Sequence, residues 1–256
     1  MRAYARYVVA VCFVLLVSGL GAAGQGFEEV FDQSFALTPG GAVGLENING
    51  DVSVEVWDRS EVRVYAVKKA SSQELLDGLK IDIEANGSAV QIETRYPSSR
   101  KGHDDGRTFT KVEYTLSIPR QADVDDIELV NGNLTVVGVQ GSVQAESVNG
   151  TIVVRDGFGN ASLSTVNGGI ELYTERLGSG DSVDLESVNG TVNLFLGAST
   201  GADVRAETVN GEIRNDFGLH VNKHKYVGSD LRGTIGGGGA RVELETVNGG
   251  ITVHSW

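Results

Sequence analysis

The chain has 256 residues, with 21 Lys or Arg against 34 Asp or Glu, so its formal net charge at pH 7 is −13. This acidic balance argues against a nucleic-acid partner, because binding to phosphates needs a basic surface. The 35 glycines, three prolines and 40% hydrophobic residues exclude a disordered polymer and indicate a packed fold with many tight turns.

Residues 1–24 have the pattern of a secretory signal peptide. Arg2 and Arg6 are the only charges before Glu28, and an apolar run over 7–20 is followed by small residues. This order predicts cleavage within 22–26 and an exported protein, whether periplasmic, cell-surface or secreted. The alternative is an uncleaved membrane anchor, for which the apolar run is short against the ~20 residues of a spanning helix.

Cleavage there would remove Cys12, the single cysteine of the chain. The mature protein would then hold no disulfide, and its stability would come from its core alone. Removing Arg2 and Arg6 leaves 19 basic residues against 34 acidic ones, a formal charge of −15.

Residues 25–130 are predicted to form an irregular N-terminal β section. Alternating apolar residues predict five strands, at Asp51–Val56, Glu61–Val67, Lys80–Glu84, Val90–Thr94 and Val112–Ile118. A Ser-x-x-Glu pair, Ser71 with Glu74, predicts a short helix over Ser71–Gly78. The polar stretch 98–110 is predicted to be an exposed loop.

A Val-Asn-Gly or Ile-Asn-Gly triplet recurs along the chain. Its asparagines are Asn49, Asn131, Asn149, Asn167, Asn189, Asn210 and Asn248. From Asn131 onward the steps are 18, 18, 22, 21 and 38 residues. The last step equals about two repeats, so we expect one repeat to have lost its motif near Ser229.

Apolar residues alternate on both sides of each triplet, as in VQAESVNGTIVV over 143–154. The pattern predicts strand, turn, strand, with Asn-Gly supplying two residues of positive φ. Strict alternation cannot point both Ala145 and Val148 inward unless a bulge intervenes. Equivalent strands stack at about 4.8 Å, which would let the asparagine side chains hydrogen-bond in a ladder.

These observations predict an all-β fold, a single-stranded β-helix or solenoid with Val-Asn-Gly turns and about 18–22 residues per coil. Residues 131–256 would be its regular repeats. A series of β-hairpins would use the same dipeptide, but the motif occurs once per repeat and not at every connection.

A column of acids is expected three residues before the turns, at Glu46, Glu128, Glu146, Glu186, Glu207 and Glu245, with Ser164 in the same series. One hypothesis is a face that binds cations or polycations, with Ca²⁺ the natural ion for carboxylates. The alternative is a solvated edge neutralised by neighbouring Arg, Lys or water. The Asp-x-Asp-Gly pattern of calcium loops is absent from the sequence.

A basic island at His220, Lys223, His224 and Lys225 is a candidate partner-binding loop. The spacing of its two histidines would suit a metal pair only on a helix, and no helix is expected there. A plain solvated loop is the third possibility. The neighbouring run Gly236–Gly239 lacks the Gly-Lys-Ser/Thr ending of a phosphate loop.

Two segments carry a family resemblance: LENINGDVSVEVWD, over 45–58, and RGTIGGGGARVELETVNGGITV, over 232–253. With them the stretch 33–256 resembles the bacterial putative-adhesin family of β-strand-repeat proteins. The resemblance implies a β-helical fold and a cell-envelope setting. It brings no catalytic residues and no cofactor.

The sequence therefore predicts an exported, non-catalytic scaffold with an envelope or surface ligand, protein or glycan. Trp57 and Trp256 lie far apart in sequence, and we expect Tyr and Phe not to recur in register. One alternative is a carbohydrate-active enzyme on a β-helix. Another is a module that self-associates through exposed solenoid ends.

Overall fold

A computed structural model describes residues 26–97, 108–157, 159–224 and 228–256. The predicted signal peptide and Cys12 lie outside these residues, as does most of the predicted 98–110 loop. The first ten strands are β1 (Phe27–Asn49), β2 (Val52–Trp57), β3 (Glu61–Ala70), β4 (Lys80–Ala85), β5 (Gly87–Arg95), β6 (Thr110–Pro119), β7 (Asp123–Asn131), β8 (Leu134–Val137), β9 (Val143–Asn149) and β10 (Ile152–Arg155). The next ten are β11 (Ala161–Asn167), β12 (Ile170–Thr174), β13 (Ser182–Asn189), β14 (Val192–Leu196), β15 (Ala202–Asn210), β16 (Ile213–Asn215), β17 (Val221–Lys223), β18 (Ser229–Ile235), β19 (Ala240–Asn248) and β20 (Ile251–Ser255).

The strands pair in two ladders. The strands that lead into the turns form the pre-turn ladder, in the order β4, β5, β1, β7, β9, β11, β13, β19, β15, β18, β17. The post-turn ladder has the order β1, β3, β6, β2, β8, β10, β12, β14, β20, β16. Strand β1 contributes its second half to the first ladder and its first half to the second, which joins them.

The predicted single-stranded β-helix is wrong, because the fold mixes parallel and antiparallel strands. Antiparallel pairs join β1 to β3, β3 to β6, β4 to β5, β15 to β18 and β17 to β18. The strand order also departs from the chain order, since β19 lies between β13 and β15, and β20 lies between β14 and β16. The all-β class is confirmed.

The prediction of a lost repeat near Ser229 is also wrong. Ser229 begins β18, which runs antiparallel to β15. The long step from Asn210 to Asn248 is filled by this excursion, after which the chain returns to insert β19. Asn248 therefore lies between Asn189 and Asn210 in space.

The five strands predicted in the N-terminal section are confirmed as β2 to β6. The predicted helix is present as α1 (Gln73–Gly78), but its N-cap is Ser72, whose hydroxyl accepts a hydrogen bond from the Leu75 amide at 3.3 Å. Ser71 instead accepts from the Phe109 amide at 3.2 Å. Within the described residues, no helix combines the length and apolarity needed to cross a bilayer.

Inward side chains of both ladders form one hydrophobic core. In β9 the side chains alternate from Val143 to Val148, so Ala145 is buried and Val148 is 41% exposed. Between them, Ser147 is buried, and four other repeats hold Thr or Ser at the same position. These hydroxyls donate to the turn-glycine carbonyl of a neighbouring repeat, as from Thr246 to Gly190 at 3.0 Å.

The turn glycines are required by close approach and not by positive φ. Among the glycines that follow the seven turn asparagines, Gly50 alone has positive φ, and none of those asparagines does. A Cβ added at Gly190 would instead collide with the backbone carbonyl of Gly168, and the same contact recurs from turn to turn. The predicted pair of positive-φ residues is wrong because stacked repeats, not an isolated hairpin, set the geometry.

The turn asparagines form a continuous side-chain ladder. Each Nδ2 donates to the Oδ1 of the next asparagine at 2.8–2.9 Å, in the order Asn210, Asn248, Asn189, Asn167, Asn149, Asn131, Asn49. Two of the six bonds, those made by Asn248, depend on its position between Asn189 and Asn210.

Asn189→Ala should destabilise the fold, because Asn189 both donates to Asn167 and accepts from Asn248. We expect a loss of about 1–2 kcal/mol of unfolding free energy, from two bonds of roughly 1 kcal/mol each. Asn210→Ala is the matched control at the end of the ladder, where one such bond is lost. Equal losses in urea denaturation would contradict a ladder role.

Candidate interaction surface

The predicted acidic residues stack on the outer face of the pre-turn ladder. Neighbouring strands align Glu46 with Glu128, Glu128 with Glu146, and Glu186 with Glu245. We call the full set the acidic column, in the spatial order Glu46, Glu128, Glu146, Ser164, Glu186, Glu245, Glu207. The glutamates of the column are all exposed.

Additional acids extend the acidic column at both ends, and cations neutralise them there. At one end Arg95 bridges Asp82 at 2.8 Å and Glu93 at 3.2 Å. At the other end Arg205 lies 3.4 Å from Glu207.

Most glutamates of the acidic column lack the cationic partners that the acids at its two ends have. Among the described residues, Glu46, Glu128, Glu146, Glu186 and Glu245 make no ion pair.

Burial and neighbouring carboxylates raise the pKa values of two glutamates of the acidic column. Partial burial, followed by the carboxylates of Asp184 and Glu245, raises the pKa of Glu186. Burial, with Asp126 and Glu46 next, likewise raises the pKa of Glu128. The acidic column thus disfavours its own full ionisation, which a cationic partner would relieve.

Stability should rise as the pH is lowered from 7 to about 5. Glu128, Asp184 and Glu186 have higher pKa values in the folded protein than their ordinary values of 4.5 for Glu and 3.8 for Asp. Their protonation therefore stabilises the fold. This contribution is complete below the ordinary pKa values and is lost as the pH rises through the pKa values of the folded protein. Asp32 and Glu113, whose pKa values are lowered by Arg63 and by lysines, act oppositely and only at lower pH.

Thermal unfolding across this range tests that expectation, with E128Q/E186Q as the comparison. The double variant should melt higher than wild type at pH 7 and low salt, and its melting temperature should vary less with pH. Added salt should narrow the difference by screening. A wild-type protein that loses stability from pH 7 to 5 would contradict the expectation.

An apolar stripe runs beside the acidic column on the same outer face. It consists of the residue before each turn asparagine, 38–43% exposed in every case. In spatial order this valine stripe is Ile48, Val130, Val148, Val166, Val188, Val247 and Val209. Seven strands at about 4.8 Å give the stripe a length of roughly 29 Å.

The described residues hold no group of three or more His, Cys, Asp or Glu placed to bind a metal ion. The predicted basic island lies at the far edge of the pre-turn ladder, where His224 contacts Asp230 at 2.7 Å and Lys223 lies 4.0 Å from Glu212. His220 is exposed, and Lys225 lies outside the described residues.

The sequence interpretation missed an aromatic column on the post-turn ladder. Tyr173 stacks on Phe195 at 4.1 Å, and Phe195 stacks on His254 at 4.5 Å. Arg155 covers the other face of Tyr173 at 4.4 Å, and the exposed Trp256 meets Tyr173 edge-on at 6.0 Å. The expectation that Tyr and Phe do not recur in register is wrong.

The signal for this column was present, because Tyr173, Phe195 and His254 each follow a turn asparagine by six residues. Their rings stack on one another, so the faces that could stack on a sugar are already covered. The aromatic column therefore strengthens strand pairing more readily than it forms a saccharide platform.

Comparison with protein-family models and with curated proteins finds no match. Among solved structures, the chain is similar to a putative cell adhesion protein from Clostridium sporogenes, with 13% identity, 89% of this chain and 100% of the other covered, and a TM-score of 0.47. A putative adhesin from Bacteroides fragilis gives 8% identity, 88% and 97% coverage, and a TM-score of 0.42. A putative adhesin from Parabacteroides merdae gives 10% identity, covers 91% of this chain and 98% of its own, and has a TM-score of 0.35. Likenesses this distant carry no functional assignment.

Proposed function

We propose that the chain is an exported, non-catalytic scaffold of the cell envelope that binds a surface ligand, adhesin-like in the broad sense. The valine stripe is the observation that carries this proposal. Contiguous apolar side chains on a soluble surface mark interaction sites far more often than scattered ones do.

The valines of the stripe are not part of the buried core. Val148, Val166 and Val188 point away from the core, while the buried hydroxyl residue before each one and the asparagine after it hold the turn together. A threonine would supply the same β-branched shape at a strand end. Seven apolar residues in one stripe therefore fit a surface that contacts a partner.

The triple variant V148T/V166T/V188T tests the proposal, since Val→Thr keeps the side-chain shape and removes apolar surface. Its binding to isolated envelope fractions should weaken by about tenfold or more, equivalent to roughly 1.4 kcal/mol. The control V30T/V137T changes two valines of similar exposure outside the stripe and should bind as wild type does. Undiminished binding by a folded triple variant would overturn the proposal.

The same fractions can test export, because secretion of the full chain should yield a mature product lacking the first 22–26 residues.

Self-association is a separate outcome. If the triple variant changes the sedimentation of the purified protein and not its envelope binding, the stripe joins copies of the chain.

A further inference from the structure

We propose that the valine stripe and the acidic column together bind a cationic amphipathic polypeptide segment. Its apolar side would lie on the valines, and its Lys or Arg side chains would meet the glutamates. This inference rests on the proposed function, and it specifies the chemistry of the ligand.

The two features are parallel and adjacent. In six of the seven repeats a glutamate of the column lies two residues before the stripe residue on the outer side of one strand, as do Glu146 and Val148, or Glu186 and Val188. That separation is about 6.7 Å along the strand. One partner segment can therefore touch both over their shared length.

Charge decides between possible partners. Five carboxylates of the column lack an ion pair among the described residues, and burial followed by neighbouring carboxylates raises the pKa values of Glu128 and Glu186. A second copy of the same face would add like charges directly opposite, and an acidic glycan would do the same. A cationic partner relieves the repulsion already present.

The apolar stripe decides against a simple polycation. Oligolysine or a metal ion could neutralise the carboxylates but would leave Val148, Val166 and Val188 in water. A segment that also buries aliphatic side chains gains from both features.

The dimensions fit an amphipathic helix laid across the strands. A helix rises 1.5 Å per residue, so about 19 residues cover the roughly 29 Å of the stripe. Leu side chains at helical spacing would contact the valines, and Lys side chains on the flank of the helix would contact the glutamates. At Ser164, near its centre, the acidic column carries no charge.

The test uses an 18-residue helical peptide of Leu and Lys, a matched peptide in which Gln replaces Leu, and a third in which Glu replaces Lys. Titration by fluorescence anisotropy against the full chain should give saturable 1:1 binding of the Leu–Lys peptide. The Gln–Lys peptide should bind at least about tenfold more weakly, and the Leu–Glu peptide should not bind.

Variants locate the binding. E128Q/E146Q/E186Q should weaken the Leu–Lys peptide and flatten its salt dependence, whereas V148T/V166T/V188T should abolish the preference for Leu over Gln. The matched control E28Q/E74Q/E175Q removes the same charge from exposed residues elsewhere and should bind as wild type does.

Equal binding of the Leu–Lys and Gln–Lys peptides would overturn the inference, as would an equal loss in the E28Q/E74Q/E175Q control. Competition separates this result from the proposed function. If envelope binding depends on the valine stripe but the Leu–Lys peptide does not compete with it, the inference fails and the proposed function stands.

Discussion

Gly190→Ala should destabilise the protein by about 3 kcal/mol, near the upper end of the usual cost of overpacking. The added methyl group would occupy the position of the Gly168 carbonyl oxygen, and that oxygen is backbone, held by the neighbouring turn. No side-chain rotation can relieve the collision, so two stacked turns must separate. As the turns separate, the asparagine ladder and the hydrogen bonds of the buried hydroxyl groups at that turn should weaken.

Gly180→Ala is the matched control, because a Cβ there meets no atom within 4 Å and the backbone φ is not positive. That substitution should be neutral or slightly stabilising. Urea denaturation of both variants checks the difference. If Gly190→Ala is as mild as Gly180→Ala, the close stacking of the turns is not as the structure has it.

Leu244→Ala should cost about 3 kcal/mol, within the usual range for a buried leucine truncated to alanine. Leu244 is fully buried, and its strand β19 is held between β13 and β15, next to Leu185 and Ala206. Because strands flank it on both sides, the surroundings cannot easily collapse into the cavity.

Leu219→Ala serves as the comparison, since Leu219 is partly buried at the edge of the core. We expect less than half the effect there. A scan of the two variants by chemical denaturation distinguishes a central strand from a peripheral one. Similar losses at the two positions would place β19 nearer the edge of the sheet.

Much of the local structure follows from the sequence. Alternation around each Val-Asn-Gly triplet predicts the strands on both sides of the turns, and the Ser-x-x-Glu pair predicts α1 to within a residue of its cap. Stacking of the acidic residues follows from their fixed distance to the turn asparagine. Each of these features depends on residues close together in the chain.

The order of the repeats does not follow from the motif. The last five repeats present the same Ser/Thr-Val-Asn-Gly surface to their neighbours, so Asn248 can stack on Asn189 as well as Asn210 can. The choice is made by the 38-residue step between Asn210 and Asn248, whose antiparallel strands carry no turn motif. Pattern matching therefore placed a missing repeat where the chain makes an excursion.

The sequence predicted the acidic column of the interaction surface but not the valine stripe. Glutamate spacing indicated the acidic column, but the sequence left open whether a bulge turns Val148 inward or strict alternation turns it outward with Asn149 inward. Alternation through Ala145 and Ser147 points Val148 outward, because the buried hydroxyl takes the inward position, and Asn149 is exposed as well. The valine stripe could have been found by asking which residue type alternation leaves in water.

Continuity of the valine stripe depends on Val247 lying between Val188 and Val209, and cysteine crosslinking measures this directly. In a Cys12→Ser background, V188C/V247C and V209C/V247C should each form a disulfide under mild oxidation, because their strands are neighbours. V188C/V209C should remain reduced, because two strand spacings of about 4.8 Å exceed the reach of a disulfide. Efficient crosslinking of V188C/V209C, with none for V188C/V247C, would show repeats stacked in chain order and would contradict the structure.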